Sequence, residues 1–414
     1  MGQRAENIEG ADLIVHTAAI MADNPELIAA KASNAPVLER SELLGIVTGW
    51  YDNAICVSGT HGKTTTTSMI TQILFTAGVD LSAFIGGKLP CIGGSGRAGK
   101  SDIMVCEACE FVDTFLKLYP DVAVILNIDE DHLDYFKNLE NIIKSFRKFS
   151  EMATKALIIN GDDANTLKAV DGITGKEFIT FGLDSKNDYY AANIKKISGM
   201  ETEYTLMYKG KALGKINLHV AGVHNILNSL AAAAAAFYAN VSFESIQKGL
   251  SDFRGAGRRF ELIGKEKGIT IVDDYAHHPT ELSVTLKAAM DMGYNKVWAV
   301  FQPFTFSRTA ILLDDFAKAL SIPDNAVLTD IMGSREKNTY NIYTRNLAEK
   351  IDGCIYFPQD ENAEYTDERK YENFGQVCDY ICENANDGDL VITLGCGDVY
   401  KVAKMIYKKL KGQE

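Results

Sequence analysis

Ten consecutive residues concentrate much of the chemistry this chain can offer: Ser58-Gly59-Thr60-His61-Gly62-Lys63-Thr64-Thr65-Thr66-Thr67. They follow an apolar run, Ala54 to Val57, and lead into an amphipathic segment, Met69 to Ala77, that stops at Gly78. A strand, a glycine-bearing turn and a helix in that order aim unpaired backbone N–H groups and the positive end of the helix dipole at one point, which suits phosphate. Lys63 is expected to reach the outer phosphates and the Thr64 hydroxyl to hold magnesium. The generic phosphate-loop spacing places a glycine five residues before Gly62, where Val57 stands, so the loop is a tighter Gly-x-x-Gly-Lys-Thr variant.

Other reactive side chains recur just after apolar runs. Glu107 follows Ile103–Cys106, while Asn127 and then Asp129-Glu130-Asp131-His132 follow Val122–Leu126. Ligands of open parallel sheets bind at the carboxyl ends of strands, so Lys63, Glu107 and His132 are expected to meet around one nucleotide. A carboxylate, an imidazole and a threonine oxygen make a reasonable magnesium shell beside phosphates. His224, Asn225 and Asn228 share one side of a helix's first turn; an amide suits an adenine edge, although Asn225 equally suits a helix cap. Further on, Asp273-Asp274-Tyr275-Ala276-His277-His278-Pro279 and Gln302-Pro303-Phe304-Thr305-Phe306-Ser307-Arg308 read as substrate and ribose contacts. The first of these lacks the spacing of a helical zinc motif.

The elements that must carry these groups alternate between strand and helix. Ala11–His16 reads as a buried strand, followed by a short helix near Asn24-Pro25, a strand at Pro36–Leu38 and a helix at Ser41–Thr48. Tyr189 to Val220 changes texture, with Gly199 and Gly210 as turns, and suggests a small antiparallel flap. An alanine-rich helix runs to Ala239, and Phe253-Arg254-Gly255-Ala256-Gly257-Arg258-Arg259-Phe260 reads as a charged hinge. Beyond it, strands at Ile269–Val272, Val297–Phe301, Ala326–Thr329 and Leu390–Leu394 alternate with helices at Pro279–Met292 and Arg308–Leu320, the pattern of a second doubly wound α/β domain.

At 414 residues the chain exceeds one core and suits two or three domains. A net charge of -13 without any arginine-rich tract argues against a nucleic-acid partner. No apolar run approaches the roughly 18 residues of a membrane span, and residues 1–6 lack a signal-peptide core, so a cytoplasmic protein without membrane insertion is expected. Eight cysteines in such a chain suggest free thiols, with Cys106/Cys109 and Cys378/Cys382 as small buried groups in preference to a zinc site.

Taken together and in this order, Gly-Thr-His-Gly-Lys-Thr-Thr-Thr, Glu107-Ala108-Cys109-Glu110, Asp273-Asp274-Tyr275-x-His277-His278-Pro279 and Phe301-Gln302-Pro303-x-x-x-x-Arg308-Thr309 resemble the Mur ligases, ATP-dependent amide-forming enzymes of peptidoglycan precursor synthesis. The resemblance spans essentially the whole chain. It implies a three-domain α/β architecture: a partial N-terminal Rossmann-like domain over 1–48 that grips a uridine diphosphate, a central P-loop ATPase domain over 49–256 and a C-terminal Rossmann-like domain over 257–414. It implies ATP and Mg2+ as cofactors, with Lys63 on the β and γ phosphates inside the loop Gly59, Thr60, His61, Gly62, Thr64 and Thr65. By the same resemblance Thr64, Glu107 and His132 hold magnesium, His224 and Asn225 contact adenine with support from Asn228, and Arg259 and Asp274 reach ATP. Tyr275, His277 and Arg308 would lie near the amino acid and the sugar-borne carboxylate.

Within the family these motifs look like the alanine-adding branch, which implies UDP-N-acetylmuramate and L-alanine as substrates, an acyl-phosphate intermediate, and a monomer or weak homodimer. Two departures bear on amino-acid choice: Phe304-Thr305-Phe306 stands where the family usually shows His-Arg-Tyr, and Ala276 replaces a glycine. A ligase adding a whole peptide, a folylpolyglutamate-type synthetase and a non-catalytic remnant stay open as rivals. The family's first strand and glycine-rich turn find no counterpart ahead of Met1. The expectation is therefore poor UDP-N-acetylmuramate binding, a uridine pocket lined from one side by Thr17–Ile20, and apolar surface exposed near Leu13 and Val15.

Overall fold

Apolar runs that need burial on both faces set up two large sheets, seen in a computed structural model that describes residues 2–17, 20–197, 201–220, 222–334, 336–358 and 372–413. The expected Gly199 turn and the Ala18-Ala19 part of the expected uridine pocket lie outside the described residues. The chain falls into two units: Met1–Ile194 with Glu203–Asn217 and Val223–Phe253, and Arg254–Glu414 with Lys195–Thr202 and Leu218–Gly222.

The first unit is built on a ten-stranded sheet in the order Lys211–Leu218, Thr202–Tyr208, Tyr189–Lys196, Glu177–Gly182, Ala156–Asn160, Val122–Ile125, Asn53–Ser58, Ile103–Glu107, Ser82–Leu89, Gly94–Arg97. Asn53–Ser58 runs parallel to both neighbours, with Val57 opposite Glu107 on one side and Val124 on the other. That register brings the carboxyl ends of three strands to one edge, as the burial of both faces of a parallel sheet predicts. The segment expected to form a small antiparallel flap joins this sheet. Its three strands extend this sheet, and Tyr189–Lys196 pairs parallel to Glu177–Gly182.

The helix after the loop spans Lys63–Thr76. Its β-branched run Thr64–Thr67 is a poor helix former, so packing must hold it. Met69, Ile70, Ile73 and Leu74 are fully buried, each contributing about 1.5–3 kcal/mol. Its neighbour Phe243–Asp252 lies so close that a Cβ on Gly249 would stand 2.7 Å from the Ile73 Cα.

Near the N-terminus, Ile14–His16 and Val37–Glu39 form a two-stranded parallel sheet. The strand read as buried is not: Leu13 is 43% and Val15 41% exposed, which is the apolar surface expected near those two residues.

The second unit holds a six-stranded sheet in the order Glu261–Glu266, Ile269–Asp274, Leu390–Leu394, Val297–Phe301, Asn325–Leu328, Ile355–Tyr356. All but the first strand run parallel, and Asp274, Leu394 and Phe301 end in register. Apolar clusters cover both faces. The single helix expected over Arg308–Leu320 breaks at Leu312, φ -107° and ψ 23°, into Phe306–Ile311 and Leu313–Leu320. The cysteines are all free thiols, with Cys56, Cys106 and Cys378 buried and Cys109 exposed.

Candidate active site

The loop closes over the carboxyl edge of the first sheet. Gly59 has φ 146°, and a Cβ there would stand 2.9 Å from the Leu126 Cβ; Gly62 has φ 87°, and its Cβ would stand 2.4 Å from Asn228 Oδ1. Close approach and backbone conformation both demand glycine at these positions. Asn127 fixes the turn from the adjoining strand end. Its Oδ1 accepts the His61 N–H at 2.9 Å, its Nδ2 donates to the His61 carbonyl at 3.0 Å, and its own carbonyl accepts the Thr60 N–H at 3.1 Å. The Thr60 hydroxyl accepts the Asp129 N–H at 2.9 Å. His61 stays at the surface, 3.9 Å from an Asp129 carboxylate oxygen.

Lys63 opens the helix and folds back over its own loop. Its Nζ donates to the carbonyls of Gly59 at 2.6 Å and Thr60 at 3.0 Å and to Glu110 Oε1 at 3.0 Å, with Oε2 at 2.8 Å. Burial, the largest single influence, pulls the ammonium pKa down. The charges of Glu110, Cys109 and Glu107 outweigh it and hold the pKa above the ordinary lysine value.

Thr64 donates its hydroxyl to Glu107 at 2.9–3.0 Å, and Glu107 Oε2 also accepts the Gly86 N–H at 2.7 Å. Thr65 follows, half-buried, in the same turn. Glu110, Asp131 and His132 each bring one ligand atom within 4.8 Å of the others. The residues expected to form the shell, Thr64, Glu107 and His132, make two sets of contacts. Thr64 joins Glu107, whereas His132, at φ 51° and with its ring 4.6 Å from that of Phe111, joins Glu110 and Asp131. Hydroxyl, carboxylate and imidazole donors of both groups fit a magnesium ion.

On the helix Val223–Tyr238, Asn228 Nδ2 donates to Asn225 Oδ1 at 3.1 Å while Asn228 Oδ1 lies over Gly62. Asn225 is the third residue of that helix, so it is not the cap. His224 lies beside the loop, where desolvation first, and then the charge of His61, lowers its pKa.

In the second unit the residues of both strand-end motifs gather at one edge. Arg258, which has no separate role in the sequence reading, is a clamp: it donates to Asp273 at 3.0 Å and to the carbonyls of Gly395 and Cys396, between the Tyr275 and Tyr400 rings. Arg259 lies 5.4 Å over the Tyr275 ring. Both oxygens of Asp274 are committed to the chain, accepting the Phe260 and Ala276 N–H groups at 2.8 Å. This carboxylate therefore helps to shape the loop.

Burial raises the Asp274 pKa to about 6, against the opposing charge of Arg259. A carboxylate whose native pKa is raised contributes stability that is fully present below its ordinary value of 3.8 and is lost as pH climbs through about 6. The stability advantage of the natural chain over Asp274→Asn, read from unfolding midpoints, is thus expected to be larger at pH 5 than at pH 7. An equal advantage at both would show that Asp274 titrates normally.

His277 Nδ1 lies 3.0 Å from the Tyr275 carbonyl and 3.3 Å from Glu281 Oε2. A carbonyl only accepts, so Nδ1 carries the proton and Nε2 a lone pair. Burial first, and Arg308 among the nearby charges, lower the His277 pKa despite Glu281, which keeps the ring neutral at pH 7. Glu281 also accepts the His277 and His278 N–H groups. It is the acidic residue in the first turn after Pro279, a capping pattern that was readable in the sequence.

Arg308 sits on the short helix Phe306–Ile311, whose start is pinned by Glu336 accepting the Ser307 N–H at 2.8 Å and hydroxyl at 2.6 Å. Thr305, just before it, has φ 67° and ψ 143°, a strained setting for a β-branched residue that costs about 1–3 kcal/mol. The Thr305 N–H bond to the Met332 carbonyl, at 3.0 Å, holds it there. The Arg308 Nη1 is buried and has no hydrogen-bond partner among the described residues.

Residues 57–236 match the model of the Mur ligase middle domain, 258–397 that of the Mur ligase glutamate ligase domain, and 1–49 that of the Mur ligase family catalytic domain. The chain is 45% identical to UDP-N-acetylmuramate--L-alanine ligase of Acetivibrio thermocellus over 98% of its own length and 85% of the relative's. To the enzyme of that name from Clostridium acetobutylicum it is 42% identical over 99% and 87%. Among solved structures it is similar to UDP-N-acetylmuramate-alanine ligase of Thermotoga maritima, with TM-score 0.79, 24% identity, and coverage of 100% and 88%. It is also similar to the MurF ligase of Thermotoga maritima in complex with ADP, with TM-score 0.70, 16% identity, and coverage of 99% and 97%.

Proposed function

We propose, from the premise that this chain belongs to the Mur ligase family, that it is an ATP-dependent ligase joining L-alanine to the lactyl carboxylate of UDP-N-acetylmuramate in peptidoglycan precursor synthesis. The observation that carries this reading is 40–45% identity, over 98% of the chain, to curated enzymes of that name. The peptide-adding rival rests on a murein peptide ligase structure at 22% identity, which speaks for fold alone.

A free carboxylate resists attack by an amine. The lactyl carboxylate oxygen therefore forms a bond to the γ-phosphorus of ATP while the bond to the β-phosphate oxygen breaks, giving an acyl phosphate and ADP. Lys63 and the backbone N–H groups of its loop oppose the charge that develops on the phosphoryl oxygens. Magnesium, held by Thr64 and Glu107 and by the group of Glu110, Asp131 and His132, would add to that charge neutralisation. His224 and Asn225, steadied by Asn228, offer polar edges to adenine.

In the second unit, Arg308 takes the alanine carboxylate in a forked grip, with its unpartnered Nη1 as one tine. His277 Nε2 accepts a proton from the alanine ammonium, freeing the amine to attack the acyl carbon and expel phosphate. Because its pKa is lowered, the rate should hold below pH 6.5 before it falls. Arg259, kept over Tyr275, is that unit's further positive charge for a phosphate-bearing ligand, and Asp274 positions it by shaping the loop. Among the described residues no helix is long and apolar enough to cross a membrane, and the reading takes the enzyme to be cytoplasmic, a monomer or weak homodimer.

Phosphate release, measured with UDP-N-acetylmuramate and each candidate amine, tests this function. Release that needs both UDP-N-acetylmuramate and L-alanine is expected. Release with a peptide amine alone would move the assignment to the peptide-adding branch, and none with any pair would remove it.

A further inference from the structure

We propose that Glu110 is a positioning residue for Lys63: it holds the lysine ammonium inside the ligand-free loop, and the outer phosphates of the nucleotide must take the lysine from it. The inference rests on the phosphate reading of the loop and adds a step to it. An ammonium group has three donors. Here the carbonyls of Gly59 and Thr60 and the carboxylate of Glu110 occupy all three, at 2.6, 3.0 and 3.0 Å. None is left over for a phosphate oxygen.

The three acceptors are not equal. The two carbonyls belong to the loop that cradles the phosphates, and they are neutral. Glu110 comes from the turn after Ile103–Glu107, is charged, and has a side chain only 3% exposed. It therefore competes with phosphate for the same cation, and once the lysine leaves it is a buried carboxylate without a counter-charge. Asp131 and His132 lie beside it, so a divalent cation can then take the place of Lys63. Lysine transfer and cation capture become two halves of one exchange, which ties tight triphosphate binding to the presence of the metal. A nucleotide lacking the outer phosphates has nothing to draw Lys63 away and is indifferent to Glu110.

Calorimetric titration of the full chain with a non-hydrolysable ATP analogue and with AMP, each in EDTA and in magnesium, tests the exchange. In EDTA, Glu110→Gln is expected to bind the triphosphate about tenfold more tightly than the natural chain, because a charged competitor for Lys63 is gone. AMP affinity should not move, and magnesium should narrow the gap. Glu110→Asp, which keeps the charge but draws it back by one methylene, should tighten triphosphate binding by a smaller factor and serves where the glutamine variant does not fold. Unchanged or weaker triphosphate affinity in EDTA overturns the proposal. So does an equal shift for AMP, which would mean that Glu110 shapes the whole loop. A natural chain that binds neither nucleotide is a separate result, since it removes the phosphate reading itself.

Discussion

Lys63→Ala is expected to lower ATP-dependent turnover about 10³-fold, the scale set by removing one preorganised donor from a developing oxyanion. The loss should appear in kcat, because the lysine charge matters most as the phosphoryl group moves. The structure adds a complication, since Lys63 is also the counter-charge of Glu110. With side chains only 14% and 3% exposed, the pair is shielded from solvent, and removing one member alone costs about 3–5 kcal/mol of stability. A low rate in Lys63→Ala by itself could then come from a loosened loop. The double variant Lys63→Ala/Glu110→Gln resolves this, because it removes the stranded charge together with its partner. It should recover most of the thermal midpoint lost by the single variant and none of the turnover. Restored turnover in the double variant, or appreciable ligase activity in the single one, would mean that Lys63 does not serve the phosphates.

What the sequence could and could not reveal about this loop follows from the range of the forces involved. Gly59, Gly62, Lys63 and Thr64 answer to local demands: a left-handed turn, a close backbone approach and a helix start. Residue type alone signals such demands. The strands Asn53–Ser58, Ile103–Glu107 and Val122–Ile125 were equally plain, because burial on both faces leaves an uninterrupted apolar run.

Glu110 was a different matter. Its motif assigns it no role, since its partner is 47 residues away and a carboxylate in a turn looks the same whether solvated or paired. The grouping of His132 with Glu110 and Asp131 has the same origin, since Glu110 comes from a different segment of the chain. Strand register is tertiary too, so the segment from Tyr189 to Val220 reads as a small antiparallel flap although its strands extend the large sheet. At Leu312 the apolar periodicity continues through the break between two helices, and nothing in the residue types marks the stop.

Arg308→Ala is expected to raise the L-alanine KM about 100-fold with a far smaller change in kcat, a loss typical of one charge-assisted, two-pronged hydrogen bond. Nη1 of Arg308 is buried without a partner among the described residues, and leaving a donor of a charged group unsatisfied costs about 1–3 kcal/mol or more. The chain also maintains a strained Thr305 three residues earlier and fixes the helix start through Glu336. Two such costs at one short helix are tolerable if a ligand removes the first on binding. A carboxylate is the natural candidate, because it matches the planar fork and brings the missing acceptor. Lysine offers a point charge in place of the fork, so Arg308→Lys should recover only a minor part of the lost affinity. The ATP KM should stay within about twofold in both variants, because a uniform loss of amino-acid binding leaves the nucleotide step alone. If Arg308→Ala instead changes the ATP dependence and spares that of alanine, the guanidinium serves the nucleotide, and the buried Nη1 awaits a phosphate oxygen.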